Sequence, residues 1–221
     1  MLRTFLRHNL PYLIIYLLVC VVVAYILLNN DRSELHIRIN SLVGNRYVDT
    51  FFKYMTYVGD GVFVIALALV LILLFNIRKG LLVFYSYASA SLCTTILKRC
   101  FYDDVNRPFY VFTYFRHEQL KLVDGVERLI HNSFPSGHST AAFAMFFSLM
   151  YMTERQGLKI LYFVAAFLAA FSRTYLSQHW LIDIFAGSMI GAGFATCMYL
   201  LVYNRPHMIK LEKPLISYFI K

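Results

Sequence analysis

Two histidines and a few cations carry the chemistry that this chain can spell out. The stretch Asn132-Ser-Phe-Pro-Ser-Gly-His-Ser-Thr140 sets a φ-fixing proline, a hydroxyl, a glycine and a histidine just ahead of the apolar run Ala141 to Met152. At a helix start those residue types give donors that converge on an anion. The plainer reading is an ordinary helix cap by Ser136 or Ser139. Further on, His179 and Asp183 stand four apart. On a helix the carboxylate can then accept a ring N–H, fix the tautomer and make the other ring nitrogen a better nucleophile. Taken alone, such a pair serves equally as a structural hydrogen bond or a proton relay. Arg173, Arg107 followed by Pro108, and Lys98 add positive charge. Guanidinium forks grip phosphate oxygens two at a time and lysine adds a point charge. With the Ser136–Gly137 turn they outline a cage for a tetrahedral dianion. Phosphoryl transfer needs little more than such positioning, a nucleophile on one side of phosphorus and an acid on the other. His179 and His138 fit those two roles.

The elements that must hold these residues are apolar helices. With 59% hydrophobic and only 15% charged residues, the 221-residue chain departs from a soluble protein's balance and reads as a membrane protein of one domain, residues 1–221. Its formal charge of +9 is scattered among short connections, so no nucleic-acid partner is expected and membrane topology accounts for the excess. Cys20, Cys93, Cys100 and Cys197 show no paired or metal-ligand spacing, and neither a disulfide nor a zinc site is expected. The 18-residue run Pro11 to Leu28 nearly spans a hydrocarbon layer of ~30 Å. No small-residue cleavage site follows it, so it is read as a retained span and not a signal peptide. An amphipathic interfacial helix is expected over Val48 to Val58, ended by Asp60-Gly61. Five further spans follow: Gly61 to Ile77, Gly80 to Leu97, a fourth to about Thr153, a fifth to about Ser172 and Trp180 to Tyr203. Gly187, Gly191 and Gly193 bring two helices close, while Ser86, Ser89, Ser91, Thr94 and Thr95 read as packing groups. The expected fold is therefore all-α, a polytopic bundle of six transmembrane helices plus an interfacial helix. Six spans put both termini on one side and the long connection with the fifth-to-sixth junction on the other, so one site can gather every candidate. Lysines and arginines divide nearly equally between the sides, but many of those opposite the termini look functional, which assigns the termini to the cytoplasm.

With these motifs in place the chain resembles the type 2 phosphatidic acid phosphatase family, the membrane lipid-phosphate phosphatases related to vanadium haloperoxidases. The likeness rests on a lysine ahead of Arg107-Pro108, on Pro135-Ser136-Gly137-His138, and on Ser172-Arg173 followed by His179 and Asp183. It implies that His179 attacks phosphorus to form a phosphohistidine, that Asp183 orients it, and that His138 protonates the leaving alkoxide and later activates water. Lys98, Arg107, Ser136, Gly137 and Arg173 would bind the phosphoryl oxygens, without metal or cofactor. The family's spacing would place the first cation at Cys100. Here Lys98 is taken for it with Arg99 as the alternative, a short insertion around Asp103-Asp104 looping out. The implied function is removal of a terminal phosphate monoester or pyrophosphate from a membrane lipid. The candidates are lipid A, undecaprenyl pyrophosphate, phosphatidylglycerol phosphate and phosphatidate. Size and tight loops suit a bacterial inner membrane, with the site facing the periplasm and Phe109 to His131 forming a substrate-selecting rim. The alternative from another class is a small transporter or channel whose His-Asp pair relays protons. It leaves the arginines unexplained and lacks the expected repeats.

Overall fold

Helices follow the apolar runs. The computed structural model describes residues 2–203 and 205–219, which form ten α-helices and no strand among them. In chain order these are α1 (Leu2–Asn29), α2 (Arg32–Asn40), α3 (Arg46–Met55), α4 (Gly61–Val70), α5 (Ile77–Cys100), α6 (Pro108–Val111), α7 (Gly137–Tyr151), α8 (Gln156–Tyr175), α9 (Leu181–Met198) and α10 (Pro206–Ile209). Helix α7 is the axis, apolar all round and buried over most of its length, with α5, α8 and α9 packed against it. Tyr16 of α1 closes one side, its ring lying 5.7 Å from Phe143 and 5.2 Å from Phe147.

Three expectations change in detail. The first span starts before Pro11, because the helix runs on through the proline and the turn ahead of it is tied down. Asn9 donates to Phe5 O and accepts from the buried Lys159 ammonium; a membrane helix tolerates one missing N–H when neighbours hold its flanks. The interfacial helix is α3 continued by a 3₁₀ turn, Thr56–Gly59, and the whole segment bends by 62° from the helix that follows. It buries Phe52 against Phe171 and Tyr175 and exposes Tyr47, Tyr54 and Tyr57, the side chains suited to a membrane–water boundary. The count of six spans is not met by length. Among the described residues four helices are long and apolar enough to cross a membrane, or up to five if the bent pair is one span. The remaining element, α7, has 15 residues and covers ~22 Å, shorter than a ~30 Å layer.

Two ends can be told apart. Tyr12 near the start of α1 donates to Gln156 at the start of α8 (2.8 Å), and Arg78 at the start of α5 pairs with Glu212 of the C-terminal segment (2.6 Å). Both terminal regions thus lie where α5 and α8 begin. Where α5 and α8 end, α7 and α9 begin, and every motif residue clusters there.

The tightest junction is between α7 and α9. A Cβ on Gly187 would stand 2.6 Å from Ser136 O, and one on Gly191 would stand 2.4 Å from Thr140 O and 2.8 Å from the Phe143 Cβ. Gly193, expected on the same face, meets nothing within 4 Å. Gly191→Ala should therefore destabilise the protein by ~1–3 kcal/mol through overpacking. Gly193→Ala should leave stability unchanged or slightly raised. Thermal unfolding of the two variants in detergent checks the contrast.

Candidate active site

The turn between α8 and α9 carries the nucleophile candidate. Gln178 N and His179 N both donate to Arg173 O, at 2.9 and 3.1 Å, and Ser177 takes a left-handed φ of 55°. His179 is 2% exposed. Its Nδ1 lies 3.3 Å from Asp183 Oδ2, and its Nε2 lies 3.2 Å from Arg107 Nη1. A guanidinium can only donate, so Nε2 is the acceptor and Nδ1 carries the proton toward the carboxylate. Burial, and then Arg107, Arg173 and Lys98 nearby, hold His179 well below its ordinary value, so the ring is neutral. Asp183 Oδ2 also accepts from Trp180 N (2.9 Å) and from the Ser133 hydroxyl.

Arg107 is fixed by main-chain oxygens. Nε donates to His131 O (2.7 Å), Nη2 to Asn132 O (3.2 Å) and Nη1 to Gln178 O (2.8 Å). Burial pulls the guanidinium down to about 10, opposed by the charge of Asp183, and it stays cationic at neutral pH. The backbone around it is zipped to the far end of the same connection, Arg107 N to Ile130 O and Ser133 N to Val105 O, both 2.9 Å. One motif is thereby held against the next.

Of the remaining candidates, His138 and Arg173 line a cavity of about 240 Å³ together with Thr56, Asp60 and Glu127. Arg173, 6% exposed in the last turn of α8, donates from Nη1 to Thr56 Oγ1 (2.6 Å), while its buried Nε has no hydrogen-bond partner. His138 Nε2 lies 3.7 Å from Asp60 Oδ2. Lys98 is half-buried within electrostatic reach of Arg107, Asp183 and Arg173, whereas Arg99 is exposed. The lysine, not the arginine, faces the cluster. Helix α5 continues three residues past the expected end at Leu97, and Asp103 and Asp104 lie exposed in the loop beyond. Ser136 does what the cap reading asks: its hydroxyl, wholly buried, accepts from Ser139 N (3.4 Å) and Ser139 Oγ (3.1 Å). Its own proton remains available. Gly137 begins the helix in open space, where the orphan N–H groups of the first turn lie. Both readings of this stretch, cap and cradle, describe one structure.

Sequence reasoning missed Thr56, Asp60, Ser133 and His36. Ser133 stands inside the motif stretch and Asp60 was read only as a helix stop. Of the segment expected to form a rim, Gly125, Val126, Glu127 and Leu129 line the cavity.

A helical membrane protein that gathers two histidines, an aspartate, two arginines and a lysine at one end defines a phosphoryl-transfer class. The chain belongs to the PAP2 superfamily, whose profile matches residues 79–207. No curated protein gives a significant match. Among solved structures the chain is similar to LpxE of Aquifex aeolicus, at 26% identity and a TM-score of 0.65 over 76% of this chain and 93% of that one. It also shares the fold of the first transmembrane PAP2 type phosphatidylglycerolphosphate phosphatase from Bacillus subtilis, at 20% identity and a TM-score of 0.62 over 83% and 92%. The protein is thus an integral-membrane enzyme, a phosphatase of membrane lipid phosphates. That membership replaces the transporter reading.

Helix α2, outside the matched residues, fastens the turn that carries His179. His36 of α2 places Nε2 3.1 Å from Ser177 Oγ, stacks 5.6 Å from Phe112 and meets Trp180 edge-on at 5.4 Å. Burial pushes its imidazole down to about 4 from 6.5. Between those two values the unfolded chain binds a proton that the folded chain does not, so this contribution is complete above pH 6.5 and lost as pH falls toward 4. The melting temperature in detergent should fall across that window. In His36→Phe, which keeps a ring and removes the titration, the fall should be shallower.

Proposed function

We propose that the enzyme hydrolyses the terminal phosphate of a bacterial envelope lipid through a phosphohistidine on His179. The observation that carries this reading is the line Asp183–His179–Arg107. The carboxylate faces Nδ1, and the guanidinium donates to Nε2 at 3.2 Å, so a phosphate that draws this Arg107 N–H to itself frees the Nε2 lone pair and lies against it.

In the first step Nε2 attacks phosphorus, the bond to the lipid oxygen breaks, and His138 gives that oxygen its proton. Asp183 holds the ring and offsets the positive charge it acquires. Arg107, Arg173 and Lys98 neutralise the equatorial oxygens, with Ser136 and the first-turn N–H groups of α7 as further donors. In the second step His138 takes a proton from water, whose oxygen displaces Nε2. The balance is lipid phosphate plus water going to lipid alcohol plus phosphate. Charge neutralisation falls to side chains here, so release should persist in EDTA.

The substrates that suit this reading are lipid A, undecaprenyl pyrophosphate, phosphatidylglycerol phosphate and phosphatidate, all carrying a terminal phosphate at the membrane surface. The site lies at the end opposite both terminal regions. On this reading the termini are cytoplasmic and the site faces the periplasm from the inner membrane.

Phosphate release from that lipid panel in EDTA tests the assignment. His179→Ala should lose more than about a thousandfold and His138→Ala about 10²–10⁴-fold. Equal rates in wild type and His179→Ala would sink the assignment. Rapid quench with labelled substrate should leave acid-labile phosphate on His179, and its absence would mean direct attack by water.

A further inference from the structure

We infer that Asp60 is the positioning carboxylate of His138, the counterpart of what Asp183 is to His179. This rests on the acid role given to His138 above. Asp60 sits at the corner between the 3₁₀ turn Thr56–Gly59 and α4, outside the residues the family profile matches. Its two oxygens divide the work. Oδ1 caps α4, accepting from Val62 N at 2.7 Å, and Oδ2 faces His138 Nε2 at 3.7 Å. The cap fixes the carboxylate so that its second oxygen cannot turn away.

The corner is built to make this approach. A Cβ on Gly59 would stand 2.8 Å from His138 O, so only glycine lets the corner lie against the start of α7. One turn earlier Thr56 accepts from Arg173. The same short segment therefore meets both the acid candidate and a phosphate-binding arginine.

The electrostatics ask for such a group. The charged groups around His138 are Arg173, Arg107 and Lys98 on one side, Asp60 at 3.7 Å on the other, and Lys53 and Glu127 in the lining of the shared cavity. An acid must hold its proton until the lipid oxygen departs, and burial first, then the three cations, oppose that. Asp183 is committed to His179 (3.3 Å), which leaves Asp60 as the carboxylate at ion-pair distance from His138. At 3.7 Å it acts as a charge and not as a hydrogen-bond acceptor, so Nε2 keeps its proton for the leaving oxygen. Asp60 makes or breaks no bond itself.

The test separates leaving groups. Phosphatidate releases an alkoxide that needs a proton, whereas p-nitrophenyl phosphate releases a phenolate that does not. Asp60→Asn keeps the helix cap and removes the charge. Single-turnover release of diacylglycerol by the full-length variant should slow about 10- to 100-fold, part of what an acid contributes, with nitrophenolate release changed less than about threefold. The alkaline limb of the phosphatidate profile should move to lower pH, because His138 loses its proton earlier without the carboxylate. Asp60→Glu should restore most of the phosphatidate rate. Asp60→Ser, which also caps, serves if the asparagine variant does not purify. Equal slowing on both substrates, or on neither, overturns the inference. His138→Ala distinguishes the two levels. If it shows the leaving-group difference and Asp60→Asn does not, only the role of Asp60 falls. If it too shows none, the acid role of His138 falls with it.

Discussion

The close approach of α7 and α9 is the constraint on which the site depends. Lipid is as apolar as leucine, so burial alone does not bring two membrane helices together; packing of backbones at small residues does. Gly187 and Gly191 provide that contact, and Asp183 stands one turn above Gly187 on the same face. At the top of the seam Ser136 N donates to Asp183 O (3.0 Å) and the Ser133 hydroxyl reaches the Asp183 carboxylate. The seam that joins the helices therefore also sets the height of the His179–Asp183 pair against the Pro-Ser-Gly-His turn. A methyl group inserted at Gly187 would separate the two motifs as well as the two helices. On its other flank α7 is tied to α5 by Thr94 with Thr140 (3.1 Å) and Ser148 with Ser86 (3.0 Å). Ser86 and Thr94 are thus packing groups, as their place in an apolar helix suggested.

The cations show a second constraint. A buried charge is costly unless paired, and most proteins pair it with an opposite charge. Arg107 is held instead by three carbonyl oxygens, and Arg173 by one hydroxyl. Neutral dipoles fix a guanidinium in place without cancelling it. Asp183 and Glu127 act on Arg107 and Asp60 acts on Arg173 only at a distance, so neither guanidinium is tied up in a direct carboxylate pair, and the buried Nε of Arg173 has no hydrogen-bond partner. This is preorganisation in the electrostatic sense, since donors already in place do not need to reorient as charge moves to the leaving oxygen. It also fits a lipid phosphate, whose charged head must leave the interfacial water to reach the site.

What could be read from the sequence was the chemistry that residue types announce. His138, His179, Asp183, Arg107 and Arg173 meet in one place because each is a polar group that an apolar chain would otherwise exclude. Lys98 was legible against Arg99 only once α5 was seen to run to Cys100. Basic residues suit a helix C-terminus, so the helix had no reason to stop at Leu97. The span count was less legible. The apolar run after Gly137 reads as a crossing helix by composition, yet α7 ends at Tyr151 and is apolar because protein surrounds it, not because lipid does. Thr56 and Asp60 were hidden for a different reason. A polar residue beside Gly61 is what any helix start looks like, and nothing local says that its free oxygen meets a histidine 78 positions further along.

That blind spot follows a division in the molecule. The residues assigned to phosphoryl transfer, Lys98 to Asp183, lie within the matched span 79–207, while α2, α3 and the Thr56–Asp60 corner lie before it. Yet the earlier segment does not merely decorate the bundle. His36 and Asn40 of α2 reach Ser177 in the catalytic turn, and Asn40 also exchanges two hydrogen bonds with Lys121 of the long connection, at 2.8 and 2.9 Å. Lys53 of α3 donates to Asp124 O (2.6 Å), and Lys53 and Tyr57 line the cavity opposite Glu127 and Leu129. The cavity beside His138 and Arg173 thus has walls from both parts of the chain. On the proposed mechanism, the shared part supplies the reaction on phosphorus. The part before it decides how the acid is poised and what can stand beside the phosphate.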